Sequence, residues 1–125
     1  MEEIKVGEYI RTKEGVIAKV TYVDVMMVDC DRDVFDLNNL AMMEIPIEYI
    51  EEYIAKHSSN IIDLIEEGDY VNGMEVIKIG SEHREIKVLY YNGYYTDNLT
   101  LTEAEINSIV TNQQFEQMKY IVGDE

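Results

Sequence analysis

The chain has 125 residues, 46% of them hydrophobic, and a formal net charge of −16. Such acidity disfavours direct binding to nucleic acid or to anionic membranes and favours basic partners, whose association weakens as salt rises. The excess is even, with a net charge of −7 over residues 1–60 and −9 over residues 61–125. The plainer interpretation is that the acids keep a small protein soluble.

Neither secretion nor membrane insertion is expected, because no apolar run is long enough to span a bilayer and no basic start precedes an apolar segment. The single cysteine, Cys30, excludes an internal disulfide and is consistent with a reducing cytoplasm. We therefore expect an intracellular globular protein.

Two segments share one pattern: a Gly, an acid, a Tyr and a β-branched residue, then a Gly turn and a second strand. The copies begin at residues 7–10 and 68–71. Residues 16–20 align with residues 75–79 at an offset of 59. Duplication explains this better than chance, and since a unit of about 60 residues is marginal alone, we expect the copies to share a core or to lean on a partner.

The first half is predicted to consist of short strands broken by turns. Gly7 marks a bend, Gly15 suits a turn with positive φ, and polar Asp29–Asp33 predicts a hairpin loop. The predicted strands are residues 4–10, two strands within residues 16–28 separated near Thr21, and residues 34–37.

A helix is predicted just after Pro46, because Ile47, Ile50 and Ile54 recur at helical spacing, although its last residues could instead form a strand. Residues 57–60 are predicted to link the two units. Ser59 or Asn60 can cap the single turn that follows.

In the second half, Asn72-Gly73 and Asn92-Gly93 have the composition of tight turns. The second pair lies between aromatic strands at residues 85–91 and 94–96 and is the strongest hairpin signal in the chain. Thr102 and Glu105 have the spacing of a capping box for a short helix.

The inward face of that short helix is predicted to carry Ile106, Ile109 and Val110. Thr111 offers a second cap, for a turn that ends near Gln117. A closing strand is predicted at residues 118–122.

The predicted fold is mainly β: two tandem small SH3-like, strongly bent β units with short helices, residues 1–57 and 58–125, sharing an interface. The alternative is one continuous β-rich domain in which the repeats exchange strands. The predicted core consists of Val6, Ile10, Ile17, Val20, Val25, Phe35, Leu40, Leu64, Val71, Val76, Ile79, Val88, Leu99, Leu101, Ile109 and Phe115.

The spacing of Asp29, Asp31 and Asp33 imitates the start of a calcium loop. The match then fails, because Val34 stands where a Gly is needed and Leu40 where a bidentate Glu is needed. A solvated hairpin loop is favoured over a weak cation site.

The two histidines, His57 and His83, are predicted to lie on the surface, and the acids around Cys30 should raise its thiol pKa and blunt its reactivity. We therefore expect no catalytic residue, no metal ligand and no cofactor, and the chain is predicted not to be an enzyme.

Tyr90, Tyr91, Tyr94 and Tyr95 flank the Asn92-Gly93 turn. Alternation should expose one or two of them, unless a helix covers the second face of the hairpin. Exposed Tyr among polar residues is typical of binding hot spots. The predicted partner-binding residues are Asp29, Asp31, Asp33, Tyr91, Tyr94, Tyr95 and Asp97.

Three segments carry a resemblance to a known group of proteins: Val6–Thr12, Lys56–Gly73 and Val110–Glu116. Together they resemble a family of small acidic proteins encoded by phages and prophages of low-GC Gram-positive bacteria. The resemblance covers most of the chain and implies an accessory protein in the cytoplasm of an infected bacterial host.

The resulting hypothesis is an anti-CRISPR-like inhibitor that mimics nucleic acid and binds the basic surface of a host defence protein. The alternative is a non-enzymatic phage structural or adaptor module of SH3-like type. Either hypothesis leaves a homodimer open.

Overall fold

The computed structural model describes residues 2–37 and 40–118. The protein is mainly β, with 46% of residues in strands and 21% in helices, and its sheets are antiparallel, which confirms the predicted fold class at this level. The chain divides into two compact units, Met1–Leu64 and Ile65–Glu125. The turn at Ile61–Leu64 therefore lies in the first unit, whereas the sequence places the boundary after residue 57.

The first unit contains one five-stranded sheet and a separate two-stranded hairpin. Its strands are β1 (Tyr9–Thr12), β2 (Ile17–Val23), β3 (Met27–Cys30), β4 (Phe35–Leu37), β5 (Leu40–Met42), β6 (Glu44–Pro46) and β7 (Ile54–Ser58). A 3₁₀ turn at Ile47–Tyr49 leads into α1 (Ile50–Tyr53), and a second 3₁₀ turn is formed by Ile61–Leu64. The sheet order is β6-β3-β2-β1-β7, and β4 pairs with β5.

The second unit contains one five-stranded sheet and one short helix. Its elements are β8 (Tyr70–Val71), β9 (Met74–Ile79), β10 (Glu85–Tyr91), β11 (Thr96–Thr102), β12 (Ile109–Val110) and α2 (Asn112–Met118), with 3₁₀ turns at Ser81–His83 and Glu103–Glu105. The sheet order is β11-β10-β9-β8-β12. In each unit the last strand pairs with the first, and among the described residues no pairing closes either sheet.

The repeated Gly-acid-Tyr pattern forms a tight corner before the first strand of each unit. In the first unit, Gly7 has a φ of +92°. Its N–H donates to the carbonyl of Val20 at 2.9 Å, and the Val20 N–H donates to the carbonyl of Glu8 at 2.8 Å. The Glu8 carboxylate accepts the N–H of Lys5 at 2.8 Å and lies 3.0 Å from Nδ1 of His57 in β7. This side chain therefore joins the first strand of the unit to the last.

The second corner repeats the same backbone bonds. Gly68 has a φ of +94°, its N–H donates to the carbonyl of Val76 at 2.9 Å, and the Val76 N–H donates to the carbonyl of Asp69 at 2.7 Å. The Asp69 carboxylate accepts the N–H of Glu66 at 2.8 Å, and it also accepts the backbone N–H of Asn112 at 2.8 Å and its side-chain amide at 3.0 Å. The pattern is a device for holding a corner in both units.

The strands after the corners differ in length, which makes the predicted alignment wrong there. The corner glycines are 61 residues apart, but the valines that close the corners are only 56 residues apart. Tyr9 pairs with Lys19, whereas Tyr70 pairs with Glu75, because the hairpin of the second unit is shorter. The offset of 59 lies between these values because a sequence match cannot register a shortened loop.

Local turn signals are confirmed where glycine or asparagine supplies a positive φ. Gly15 has a φ of +92°, and Asn72 and Gly73 have φ of +53° and +80° between β8 and β9. Such angles suit the twist of a two-residue hairpin turn. Short-range chemistry therefore determines these connections.

Several predicted boundaries are wrong. The first strand begins at Tyr9 rather than at residue 4, and the break near Thr21 is a bulge, since β2 continues to Val23. The helix after Pro46 ends at Tyr53, and the open alternative of a following strand is what forms. His57 and Ser58 belong to that strand, paired with β1, and are not a linker.

The capping box at Thr102 is present, but it starts only a single 3₁₀ turn. Ile109 and Val110 form strand β12 instead of the inward face of a helix, because pairing with β8 takes over. The second cap is confirmed: Thr111 and Gln114 exchange hydrogen bonds at the start of α2. Met118 ends that helix and is not a strand residue, and the rest of the predicted closing strand lies outside the described residues.

Half of the predicted core positions are buried: Ile10, Val20, Phe35, Leu64, Val71, Val76, Val88 and Leu101. Ile17, Ile79 and Ile109 are half-buried. Five predictions are wrong, because the side chains lie in turns, in the small hairpin, on an edge strand or on the outside of α2: Val6, Val25, Leu40, Leu99 and Phe115. Phe115 nevertheless stacks on Tyr70, with ring centroids 4.7 Å apart.

Candidate functional site

The tyrosine hairpin, residues 90–97, is the tip of the β10–β11 hairpin in the second unit. Tyr91 pairs with Thr96, so the loop contains four residues, including Tyr94 and Tyr95, which the sequence places in a strand. Asn92 Oδ1 accepts the N–H of Tyr94 at 3.0 Å and that of Tyr95 at 3.1 Å. The predicted hairpin is confirmed, and its turn is fastened by this asparagine.

All four tyrosines of this tip are exposed, by 44% for Tyr90, 68% for Tyr91, 92% for Tyr94 and 60% for Tyr95. The prediction that alternation would bury about half of them is wrong. The last buried side chain of β10 is Val88, and none of residues 89–100 is buried. The hairpin therefore extends beyond the core of its own unit, and both of its faces meet solvent.

Asp97 completes this surface, since it is exposed and pairs with Tyr90 across the two strands. Its carboxylate accepts the N–H of Asn98 at 2.8 Å. Residues 88–102 contain no Lys or Arg. The structure thus brings Tyr91, Tyr94, Tyr95 and Asp97 together on one aromatic, acidic tip.

The three acids predicted for the first unit do not act together. Asp29 lies in β3 rather than in a loop, opposite Glu44 of β6, and its Oδ1 is buried with no hydrogen-bond partner among the described residues. Asp31 accepts the backbone N–H of Lys19 at 3.0 Å and so fastens β2. Asp33 is exposed. The predicted hairpin loop is wrong because β3 extends to Cys30 and pairs with β6.

Asp29, Asp33 and Glu44 line one cleft of about 460 Å³, whereas Asp31 lines another of about 500 Å³ beside Lys19. Among residues 2–37 and 40–118, no cluster of three or more His, Cys, Asp or Glu side chains is arranged to hold a metal ion. The geometry therefore offers no support for the alternative of a cation site in this segment.

Cys30 is buried in β3. Burial raises the pKa of its thiol to about 12, and the negative charges of Asp31 and Asp29 add to the effect. The sequence predicts the direction from the acids alone, but the larger cause is burial. A thiol of this pKa is a poor nucleophile at neutral pH.

The two histidines have different surroundings. His83 is exposed, as predicted. His57 is not a surface residue, since its side chain is only 8% exposed and contacts the Glu8 carboxylate. It serves the corner of the first unit.

The first unit also contains a groove that no sequence motif indicates. Its volume is about 690 Å³, and it is formed by residues 2–4, residues 23–28 around the β2–β3 turn, and residues 47–51 at the start of α1. Its apolar part includes Ile4, Val28 and Ile50. The signals that could have found it, Glu2-Glu3 and the pair Glu48 and Glu51, become meaningful only once the fold brings these segments together.

The β2–β3 turn on one side of this groove is held by Asp24. Its Oδ1 accepts the N–H of Met26 at 2.7 Å and that of Met27 at 3.0 Å. These backbone bonds, the first of them above all, hold the pKa of Asp24 below its usual value, and Asp24 in turn raises the pKa of Tyr22 through a hydrogen bond. The turn therefore presents an ionised carboxylate.

Within the described part of the chain, no helix has the length and apolarity that crossing a membrane requires. Comparisons with protein-family models, with curated proteins and with solved structures find no match to this chain.

Proposed function

We propose that this chain is a phage-encoded accessory protein that binds and inhibits a host defence complex, in the manner of an anti-CRISPR protein. It works in the cytoplasm of the bacterial host and is not an enzyme. The observation that carries the proposal is the tyrosine hairpin: four exposed tyrosines and Asp97, without a nearby cation in sequence, on a chain with a net charge of −16.

The physical argument combines two effects. Tyrosine supplies a large amphipathic contact area at low entropic cost and is enriched among residues that dominate binding energy. Carboxylates attract the Lys and Arg side chains that would otherwise hold phosphates, and they speed association at low salt. A nucleic-acid-binding protein offers the complementary basic surface, so partial mimicry of nucleic acid is the mechanism proposed.

The test is a competition assay with a purified RNA-guided nuclease or restriction endonuclease. Fluorescence polarisation of labelled target DNA is followed as the chain is added, between about 50 mM and about 500 mM salt. The expected result is displacement or exclusion of DNA at low salt that fades as salt rises. Absence of any effect on DNA binding at low salt, over a panel of host effectors, would overturn the proposal.

The site is tested with Tyr94→Ser and Tyr95→Ser, and Tyr22→Ser provides the same substitution in the first unit. Tyr94 is 92% exposed and Tyr22 is 50% exposed, so none of these changes should disturb the core. Each hairpin change is expected to weaken the interaction by about tenfold or more, the scale of a hot-spot residue, while Tyr22→Ser has little effect. Equal losses at all three positions would place the contact elsewhere.

A second candidate function rests on the strand order. We propose that the two units are tandem SH3-like folds, in which the last strand returns to pair with the first after a 3₁₀ turn. The matching orders β6-β3-β2-β1-β7 and β11-β10-β9-β8-β12 support this proposal. An adaptor or virion-assembly module of this kind would bind a phage-encoded partner or a second copy, with little dependence on salt, so the same salt series separates the two functions.

A further inference from the structure

The groove of the first unit combines a buried apolar floor with exposed apolar edges. Ile4, Val28 and Ile50 are 7%, 1% and 7% exposed and lie along the floor. Val25 and Ile47 also line the groove and are 85% and 48% exposed. Exposed apolar side chains beside a cleft are typical of a surface that another chain covers.

The charges around this groove are all of one sign. Five of the side chains that line it are acidic, and none is Lys, Arg or His: Glu2, Glu3, Asp24, Glu48 and Glu51. The acids come from three separate segments of the chain, so only the fold brings them to one rim. A ligand that fills this groove must offer apolar groups to its floor and cations to its edge.

We propose that the groove binds an amphipathic, Lys- and Arg-bearing peptide segment of a partner protein, with apolar side chains on Ile4, Val28 and Ile50 and cations at the acidic rim. The inference goes beyond the proposed function, because the groove belongs to the other unit from the tyrosine hairpin. It also does not require the partner to bind nucleic acid.

Charge complementarity selects this occupant over the others. A second copy of the chain carries the same net charge of −16, so pairing through the groove would bring acidic surfaces together. Nucleic acid and anionic lipid are repelled in the same way. A basic amphipathic segment meets both the apolar and the electrostatic demand, as it does in other grooves that accept helices.

The test uses the whole chain and three fluorescent synthetic peptides of about 14 residues, enough for roughly four helical turns. The first has Leu and Ile at helical spacing, flanked by Lys and Arg. The second replaces the cations with Gln, and the third replaces the apolar residues with Ser. Polarisation is expected to show binding of the first peptide at least about tenfold tighter than either of the others.

Four exposed positions locate the contact without touching the floor. The double variant Glu48→Gln, Glu51→Gln is expected to weaken binding of the first peptide roughly fivefold, the scale of two surface charge pairs. The double variant Val25→Ser, Ile47→Ser is expected to weaken it about tenfold through lost apolar contact. The matched control Glu67→Gln, Glu75→Gln removes the same charge from exposed positions in the second unit and should leave the affinity within about twofold.

Nuclear magnetic resonance then maps the contact. Amide shifts on peptide addition are expected at residues 2–4, 23–28 and 47–51. The proposal is overturned if the shifts lie elsewhere, for instance on the tyrosine hairpin, if the control variant weakens binding as much as the groove variants, or if the neutral peptide binds as tightly as the basic one. None of these readouts uses DNA or a defence complex, so failure here is distinct from failure of the proposed inhibitory function.

Discussion

The corners of the two units share their backbone hydrogen bonds but differ in the side chain that completes them. In the first unit, the Glu8 carboxylate meets His57 at 3.0 Å, and the Glu8 side chain is still 18% exposed. In the second, Asp69 is fully buried and holds Asn112 through both its backbone N–H and its amide. One corner is an accessible pair of ionisable groups, and the other is an enclosed carboxylate held by neutral donors.

The difference teaches that an acid in the same sequence pattern carries different weight according to its burial. A buried carboxylate depends on every hydrogen bond it accepts, because losing one leaves charge in a medium of low dielectric constant. A carboxylate near solvent can exchange a lost partner for water. We therefore expect the second unit to depend on its corner more than the first.

The largest expected effect concerns Cys30, which lies only in the first unit and so reports on that unit alone. With its pKa raised from 9.0 to about 12, the thiolate fraction of the folded state at neutral pH falls about a thousandfold. Reaction with a disulfide reagent should be slower than that of the denatured chain by at least this factor, measured by absorbance. Rapid reaction of the native protein would show that β3 opens easily.

The next effect contrasts Asp69→Ala with Glu8→Ala. We expect Asp69→Ala to destabilise its unit by about 3 kcal/mol, because several charge-assisted hydrogen bonds are lost and buried donors are left unpaired. Glu8→Ala should cost about 1 kcal/mol, the upper range of an accessible ion pair. Hydrogen exchange of the equivalent amides of Val76 and Val20 measures each corner.

Asp69→Asn serves as the control for this pair, since it keeps the shape and one acceptor oxygen and should lose less than Asp69→Ala. Equal losses for Asp69→Ala and Glu8→Ala would contradict the assigned difference between the corners. The Cys30 reaction in Asp69→Ala adds a second reading, because it reports whether damage to the second unit reaches the first.

A smaller, equal effect is expected at the corner glycines. Gly7 and Gly68 have φ of +92° and +94°, where an L side chain is strained. A Cβ at Gly7 would meet no atom within 4 Å, and one at Gly68 would meet only Asn112 Cβ at 3.8 Å, an ordinary contact. Gly7→Ala and Gly68→Ala should therefore each cost about 1–2 kcal/mol through backbone strain alone, measured by denaturant unfolding. Clearly unequal costs would mean that the two corners are not the same backbone device.

The smallest effect concerns the turn that precedes the last strand of each unit. Thr102 donates its N–H and its hydroxyl to Glu105 Oε1, each at 3.0 Å, and these bonds, the backbone one first, hold the pKa of Glu105 below its ordinary value. Because the folded pKa is depressed, this stabilisation is complete above the unfolded pKa and is lost as pH falls through the folded pKa. The corresponding turn at Ile47–Tyr49 follows Pro46 and has no side-chain cap.

A titration followed by nuclear magnetic resonance should place the midpoint of Glu105 below that of Glu in an unstructured peptide. The Thr102 amide should shift with the same midpoint, and Glu105→Gln should abolish that acid-dependent shift. The amides of residues 47–49 provide the internal control and should not follow it. A normal midpoint for Glu105 would remove the capping box as an electrostatic contact.

Much of the local structure could be predicted because its causes lie within a few residues. Asn92-Gly93 makes a hairpin, Asn72-Gly73 a tight turn, and Thr102 with Glu105 a capping box, since each depends on one side chain bonding to a nearby backbone group. The candidate site was partly predictable for the same reason. The position of the tyrosines at a turn is local, but their complete exposure is not.

What failed depends on which surfaces meet. Val25 and Leu99 have the apolarity of core residues but lie in a turn and on an edge strand. Asp29 reads as a loop residue yet lies in a strand, because a distant segment, β6, pairs with it. No residue within reach of these positions in sequence carries that information.

The sequence by itself determined the mainly β character, the turn positions, the acidity and the recurrence of the corner, because composition and short-range hydrogen bonding suffice for all of them. Tertiary structure alone decided that Asp69 is buried while Glu8 stays accessible, that the tyrosine hairpin extends past its core, and that three acidic segments meet at an apolar groove. Burial and long-range proximity arise only when distant segments pack, and that packing assigns each acid its energetic role.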